Sequence, residues 1–260
     1  MEVIIKKSAE EGCLLGAKII AKEVRKNPTC VLGLATGRTP LRLYEELIRL
    51  HQEEDLDFSQ VTTFNLDEYV GLPPDHDQSY RFFMNENLFK HINISLENTH
   101  VPNGMAEDLK AECKDYERRI AAAGGIDLQL LGIGRNGHIA FNEPTGSLVT
   151  RTWIKILSKQ TIDDNSELFG SLDKMPRHAL SVGVGTILEA KRCLLLGFGP
   201  AKARAMAKMI EGPLTAMCPA SALQMHSRVT VVLDEGSAAG LELGEHYRWI
   251  DQHKLDWQKH

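Results

Sequence analysis

No apolar run in the 260-residue chain approaches the ~18 residues that a membrane-spanning helix needs. The first residues, MEVIIKKSAEEG, lack the apolar region of a secretory signal. Cysteine is scarce: Cys13, Cys30, Cys113, Cys193 and Cys218 are scattered, odd in number and without a C-x-x-C pair. That spacing fits neither a disulfide frame nor a zinc site. Five small buried hydrophobes in a reducing cytoplasm is the reading it supports. Basic charge is not in excess, since the net charge of −5 leaves no footprint for nucleic acid as the main partner. The histidines lack metal-ligand spacing such as H-E-x-x-H, and no Walker A loop is present. Linkers, repeats and low-complexity blocks are also missing. The expectation is one cytoplasmic domain over residues 1–260, with no metal and no redox cofactor. Its oligomeric state is open, and a homo-oligomer is compatible with the sequence.

What is present is an alternation of short apolar runs and helical periodicity. Cys30–Ala35, Val61–Asn65, Leu128–Ile133, Cys193–Leu196 and Val229–Leu233 read as buried strands. Ser8 with Glu11 makes a capping box ahead of a helix to about Lys26. Thr39 is placed to cap a second helix with Pro40 at its first position. Further helices are expected near 80–89, 108–123 and 201–210, with a C-terminal helical segment from about Ser237. Thr152–Leu157 reads as extended and Met175–Glu189 is ambiguous. Strands alternating with helices imply a doubly wound α/β fold: a mostly parallel sheet with helices on both faces. The polar residues of interest fall just after strands, which puts them on the carboxyl edge of that sheet, where such folds bind ligands.

The richest stretch is DLQLLGIGRNGHIAFNEP, residues 127–144. A buried strand runs into a loop carrying Asn136, His138 and Glu143. His138 can exchange a proton near neutral pH, and Glu143 can hold its ring in one tautomer. Gly132, Gly134 and Gly137 also match the dinucleotide pattern G-x-G-x-x-G, but that pattern must open a helix. HIAFNEP is a poor helix start, and no acidic residue closes a second strand about 20 residues later. The nicotinamide reading is therefore set aside. Thr36-Gly37-Arg38-Thr39 is a strand-to-helix turn suited to a phosphate, with a plain structural turn as the competing reading. Lys202 follows Gly199-Pro200 in another such turn, where a cation opposes the helix dipole and an anionic ligand would relieve the conflict, with a solvated lysine as the competing reading. Asp67 and Glu68 follow the strand ending in Asn65, and either carboxylate can be a general base if it faces the pocket. Together these residues suit proton transfer beside a carbonyl, hence isomerase or lyase chemistry on a sugar phosphate.

The motifs LGLATGRTP (32–40), VTTFNLDEYVGLP (61–73), LLGIGRNGHIAFNEP (130–144), ALSVGVGTIL (179–188) and PASAL (219–223) closely resemble the glucosamine-6-phosphate deaminase family. The resemblance covers nearly the whole chain. It implies a Rossmann-like fold and conversion of glucosamine 6-phosphate and water to fructose 6-phosphate and ammonium, without a cofactor. It assigns proton transfer between C2 and C1 to Asp67 and ring opening to His138, with Glu143 and Asn136 in support. The phosphate falls to Thr36, Gly37, Arg38, Thr39 and Lys202. Three departures stand out. Asn136 occupies a position where some members carry aspartate, so the imidazolium is less favoured than a carboxylate there would make it. Arg38 replaces a small residue, while Glu167 stands where many members have a phosphate-binding arginine, so Arg38 is the expected substitute cation. Trp153 replaces a basic residue of members activated by N-acetylglucosamine 6-phosphate, so activation is expected to be weak or absent. Related alternatives are a galactosamine-6-phosphate deaminase/isomerase, a 6-phosphogluconolactonase and a non-catalytic sugar-phosphate sensor.

Overall fold

Among the described residues, ten short strands carry the architecture. In chain order they are β1 (Glu2–Lys6), β2 (Val31–Leu34), β3 (Thr62–Asn65), β4 (Asp67–Tyr69), β5 (Thr99–His100), β6 (Leu128–Gly132), β7 (Trp153–Ile156), β8 (His178–Ser181), β9 (Cys193–Gly197) and β10 (Val229–Asp234). The helices are α1 (Ala9–Lys26), α2 (Arg38–Glu54), α3 (Tyr80–Asn87), α4 (Leu109–Ala122), α5 (Lys159–Asn165), α6 (Val184–Leu188), α7 (Ala203–Ile210), α8 (Glu235–Ala238) and α9 (Gly244–Gln252). The computed structural model describes residues 1–171 and 174–260, with the side chains of Gln160, Asp164, Asn165, Glu167 and Leu168 outside that description.

Seven strands form a wholly parallel sheet in the order β1-β10-β9-β6-β2-β3-β5. Strands β2, β6, β9 and β10 are apolar along almost their whole length and buried, as a sheet covered by helices requires. The doubly wound, Rossmann-like class is thus the observed one. From β2 the chain winds outward through β3 to β5, then returns to β6 on the other side of β2. The crevice between the carboxyl ends of β2 and β6 is therefore the topological switch point.

Three local expectations change. Thr39 does not cap α2. The helix starts at Arg38, and the cap position falls on Gly37, whose φ of 99° is a conformation open to glycine at little cost. No side chain caps that end, so its free N–H groups remain available. The Ser8–Glu11 box is half formed: the Ser8 hydroxyl accepts from Glu11 N, but the Glu11 carboxylate accepts from Lys7 N. Lys202 sits in a 3-10 turn, Pro200–Lys202, and the α-helix proper begins at Ala203.

Of the second, antiparallel sheet, β4-β8-β7, the sequence reading marks only β7, which lies inside the extended Thr152–Leu157. Asp67 pairs with Ser181 and Tyr69 with Ala179, across more than a hundred residues of chain. The small sheet carries its own apolar cluster, including Tyr69, Phe141, Phe169 and Ala179. Asp67 is thus a strand residue and not a loop residue, and its direction is set by the strand's two-residue alternation.

Candidate functional site

The carboxyl ends of β2, β6 and β9 send three segments to one place. They are the turn Thr36–Thr39, the loop from Ile133 through Phe141, and the turn ending at Lys202. Together with Asp67, Tyr80 and Thr161 they line a cleft of about 340 Å³ at the switch point. Asp67, His138, Thr36, Gly37, Arg38, Thr39 and Lys202, singled out from the sequence, all face this cleft. Asn136 and Glu143 do not line it; they stand behind His138.

The two neighbouring carboxylates part company. Glu68 accepts hydrogen bonds from Ser79 Oγ and from the backbone N–H groups of Tyr80 and Arg81, fastening the start of α3. Asp67, one residue earlier, points the opposite way into the cleft. It is only 7% exposed and has no hydrogen-bond or ion-pair partner among the described residues. Burial, with the nearby Glu68 charge adding to it, pushes the Asp67 carboxyl up to about 8. A partnerless carboxyl with its proton affinity tuned to neutral pH is suited to act as a base.

His138 is held by a relay. Its Nδ1 lies 2.7 Å from Asn136 Oδ1, and Asn136 Nδ2 donates to Glu143 Oε2 at 2.7 Å. Since the amide oxygen accepts, Nδ1 carries the proton in this arrangement and Nε2 is left as the acceptor. Glu143 Oε2 is itself 3.4 Å from Nδ1, so the asparagine is the nearer orienting group and the carboxylate lies one step behind. Ser158 Oγ donates to Glu143 Oε1 at 3.0 Å, and Thr161 Oγ1 donates to the same oxygen. Burial works to raise the Glu143 carboxyl, but the hydrogen bond and charge of His138, with Thr161 and Asn136, outweigh it and bring it to about 2. Glu143 is therefore a fixed anion at neutral pH.

The glycines of this loop have geometric reasons. A Cβ on Gly134 would lie 2.2 Å from His138 Cε1, so the ring packs flat against that bare backbone. Gly137 has φ +88° and turns the chain so that His138 O accepts from Gly134 N at 2.9 Å. No helix follows Gly137; a tight Ile139–Asn142 bridge does, which removes the helix N-terminus that a dinucleotide site needs.

Arg38 is exposed and reaches the cleft from the start of α2. Lys202 reaches it from the turn after β9. Arg135 also lines it and was not foreseen, although a cation inside a proton-transfer motif is a visible signal. Tyr80 and Thr161 were missed for a different reason. They come from α3 and α5, and nothing near them in sequence indicates that they return to this cleft. The Glu167 side chain, expected to matter for the phosphate, lies outside the described residues. Among the described residues, no group of three or more His, Cys, Asp and Glu is placed to hold a metal ion.

The model of the family described as glucosamine-6-phosphate isomerases/6-phosphogluconolactonase matches residues 6–232. A glucosamine-6-phosphate deaminase of Hahella chejuensis is 51% identical over 255 residues, covering 98% of this chain and 97% of that relative. One from Clostridium perfringens is 50% identical, covering 92% of this chain and 98% of the relative. A solved monomeric glucosamine-6-phosphate deaminase superposes with a TM-score of 0.91 at 48% identity, over 92% of this chain and all of that one. A 6-phosphogluconolactonase of Trypanosoma cruzi shares the fold, with a TM-score of 0.73 at 21% identity over 93% of this chain and 97% of that one. The chain belongs to the glucosamine-6-phosphate isomerase/6-phosphogluconolactonase family.

Proposed function

We propose that this chain is an enzyme that converts glucosamine 6-phosphate and water to fructose 6-phosphate and ammonium. The phosphate rests on the uncapped end of α2, Thr36 to Thr39, and is neutralised by Arg38 and Lys202. His138, presenting Nε2 and backed by Asn136 and Glu143, moves the proton from the anomeric hydroxyl to the ring oxygen and opens the pyranose. The Asp67 carboxylate then takes the proton from C2 and returns it to C1, while a proton from the substrate's C2 ammonium passes to O1, so the C1 carbonyl becomes a hydroxymethyl group and a protonated carbon–nitrogen double bond is left at C2. Water adds there and ammonia departs as ammonium. Asp67 ends as it began, so the cycle needs no redox or metal cofactor.

The observation that carries this reading is the partnerless Asp67 carboxyl, buried yet facing the same cleft as His138 and the cationic turn. One domain over residues 1–260 performs the reaction, and a homo-oligomer is compatible with a cleft whose described lining comes from the one chain. The five cysteines are unpaired and buried, which supports a cytoplasmic enzyme; among the described residues no helix is long and apolar enough to cross a membrane. The test is ammonium release from glucosamine 6-phosphate, with the galacto epimer beside it. Release from neither, or lactone hydrolysis in its place, overturns the proposal.

A further inference from the structure

Beside the catalytic cleft lies a second groove of about 350 Å³ that the chemistry above does not use. It is basic: Arg204 and Lys208, one turn apart on the same face of α7, line it together with Arg135. Arg204 and Lys208 are both exposed and make no ion pair or side-chain hydrogen bond among the described residues. Elsewhere on this surface the arginines are commonly held by carboxylates, as Arg42, Arg49, Arg151 and Arg248 are. Among the described residues no carboxylate lines this groove, and its wall is completed by Pro144 and the exposed side chain of Met217. Two like charges left close together without a counter-ion repel one another, and a dianion between them turns that repulsion into attraction.

We propose that this groove is a second binding site for a small phosphate dianion, distinct from the catalytic phosphate cradle. Arg204 and Lys208 grip the phosphate, and Met217 and Pro144 offer an apolar surface to any carbon chain it carries. Asn136 lines this groove and not the cleft, while its amide oxygen holds His138. A ligand in the groove therefore touches the reverse side of the catalytic relay, which gives the site a route to the reaction rate. That last consequence rests on the function proposed above; the binding itself does not.

The test is calorimetric titration of inorganic phosphate, at low ionic strength, into the wild-type protein, R204Q/K208Q and K202Q. The wild type is expected to bind at two sites. R204Q/K208Q should lose one of them, weakening it about tenfold or more, while keeping kcat on glucosamine 6-phosphate within about twofold. Because both side chains are exposed, its melting temperature should not move. An isotherm identical to wild type in R204Q/K208Q overturns the second site. K202Q should lose the other site, and its failure to do so counts against the catalytic cradle alone. Glycerol 3-phosphate run in parallel tells the ligand classes apart: tighter binding than inorganic phosphate at the Arg204–Lys208 site identifies a monoester, and equal binding identifies the free anion.

Discussion

Replacing Asp67 with Asn sets stability against catalysis and can be worked through from the structure. Burial raises the Asp67 carboxyl from 3.8 to about 8 in the folded chain. In the unfolded chain it titrates as an ordinary aspartate, near 3.9. Below about pH 4 both states hold the proton and burial costs nothing through this group. As the pH rises, the unfolded chain loses the proton first, so this group's contribution to stability falls steadily until about pH 8 and then levels. At pH 7 the accumulated cost is about 4 kcal/mol as a ceiling, at roughly 1.4 kcal/mol per pH unit. Asp67→Asn keeps the shape, carries no charge and removes that cost. The variant should melt several degrees higher than wild type at pH 7, at ~2–4 °C per kcal/mol for a chain of this size. At pH 4 the difference should shrink towards zero. The same change removes the proposed base, so kcat should fall about a thousandfold. In the wild type, kcat/KM should rise through pH 7 to 8 as free Asp67 ionises, an unusually high range for a carboxylate. Thermal melts and initial rates across pH 4 to 8 decide the matter. A variant no more stable at pH 7, or equally stabilised at pH 4, refutes the burial account. Retained activity refutes Asp67 as the base.

Arg38→Ala should raise KM for the sugar phosphate about tenfold with kcat little changed, since the contact proposed for its guanidinium is with the non-reacting phosphate alone; an unchanged KM removes Arg38 from the cradle. Gly134→Ala should cut kcat at least tenfold, because the new Cβ would lie 2.2 Å from His138 Cε1 while the backbone there tolerates alanine; an unaltered rate would show that the ring position is not critical. Asn136→Asp places a second carboxylate where the amide now donates to Glu143 at 2.7 Å. The pH–rate profile should move to higher pH, because two anions favour the imidazolium, and an unmoved profile sinks the relay. Steady-state kinetics should be hyperbolic, with weak or no activation by N-acetylglucosamine 6-phosphate at the Trp153 position. Trp153 is spoken for, its Nε1 donating to Asn142 Oδ1 at 3.2 Å and its ring lying 4.7 Å from Lys155 Nζ. Sigmoidal curves relieved by that ligand would contradict this.

The sequence alone determined the layered α/β class, the long helices α1, α2 and α4, and the strands β2, β6, β9 and β10. Each of these buries a face or a whole run, and burial writes its period directly into the order of apolar residues. It also put Asp67, His138, the Thr36–Thr39 turn and Lys202 on one edge, because a parallel sheet sends all its strand ends the same way. Tertiary structure decided what depends on partners distant in sequence. Strand β4 exists only because Ser181 and Ala179 come to meet Asp67 and Tyr69. That pairing alone settles which of two adjacent carboxylates faces the cleft and which fastens α3. Likewise the nearness of Asn136, not Glu143, to His138 Nδ1, and the return of Tyr80 and Thr161 to the same cleft, are distances in space that no local pattern of residues encodes.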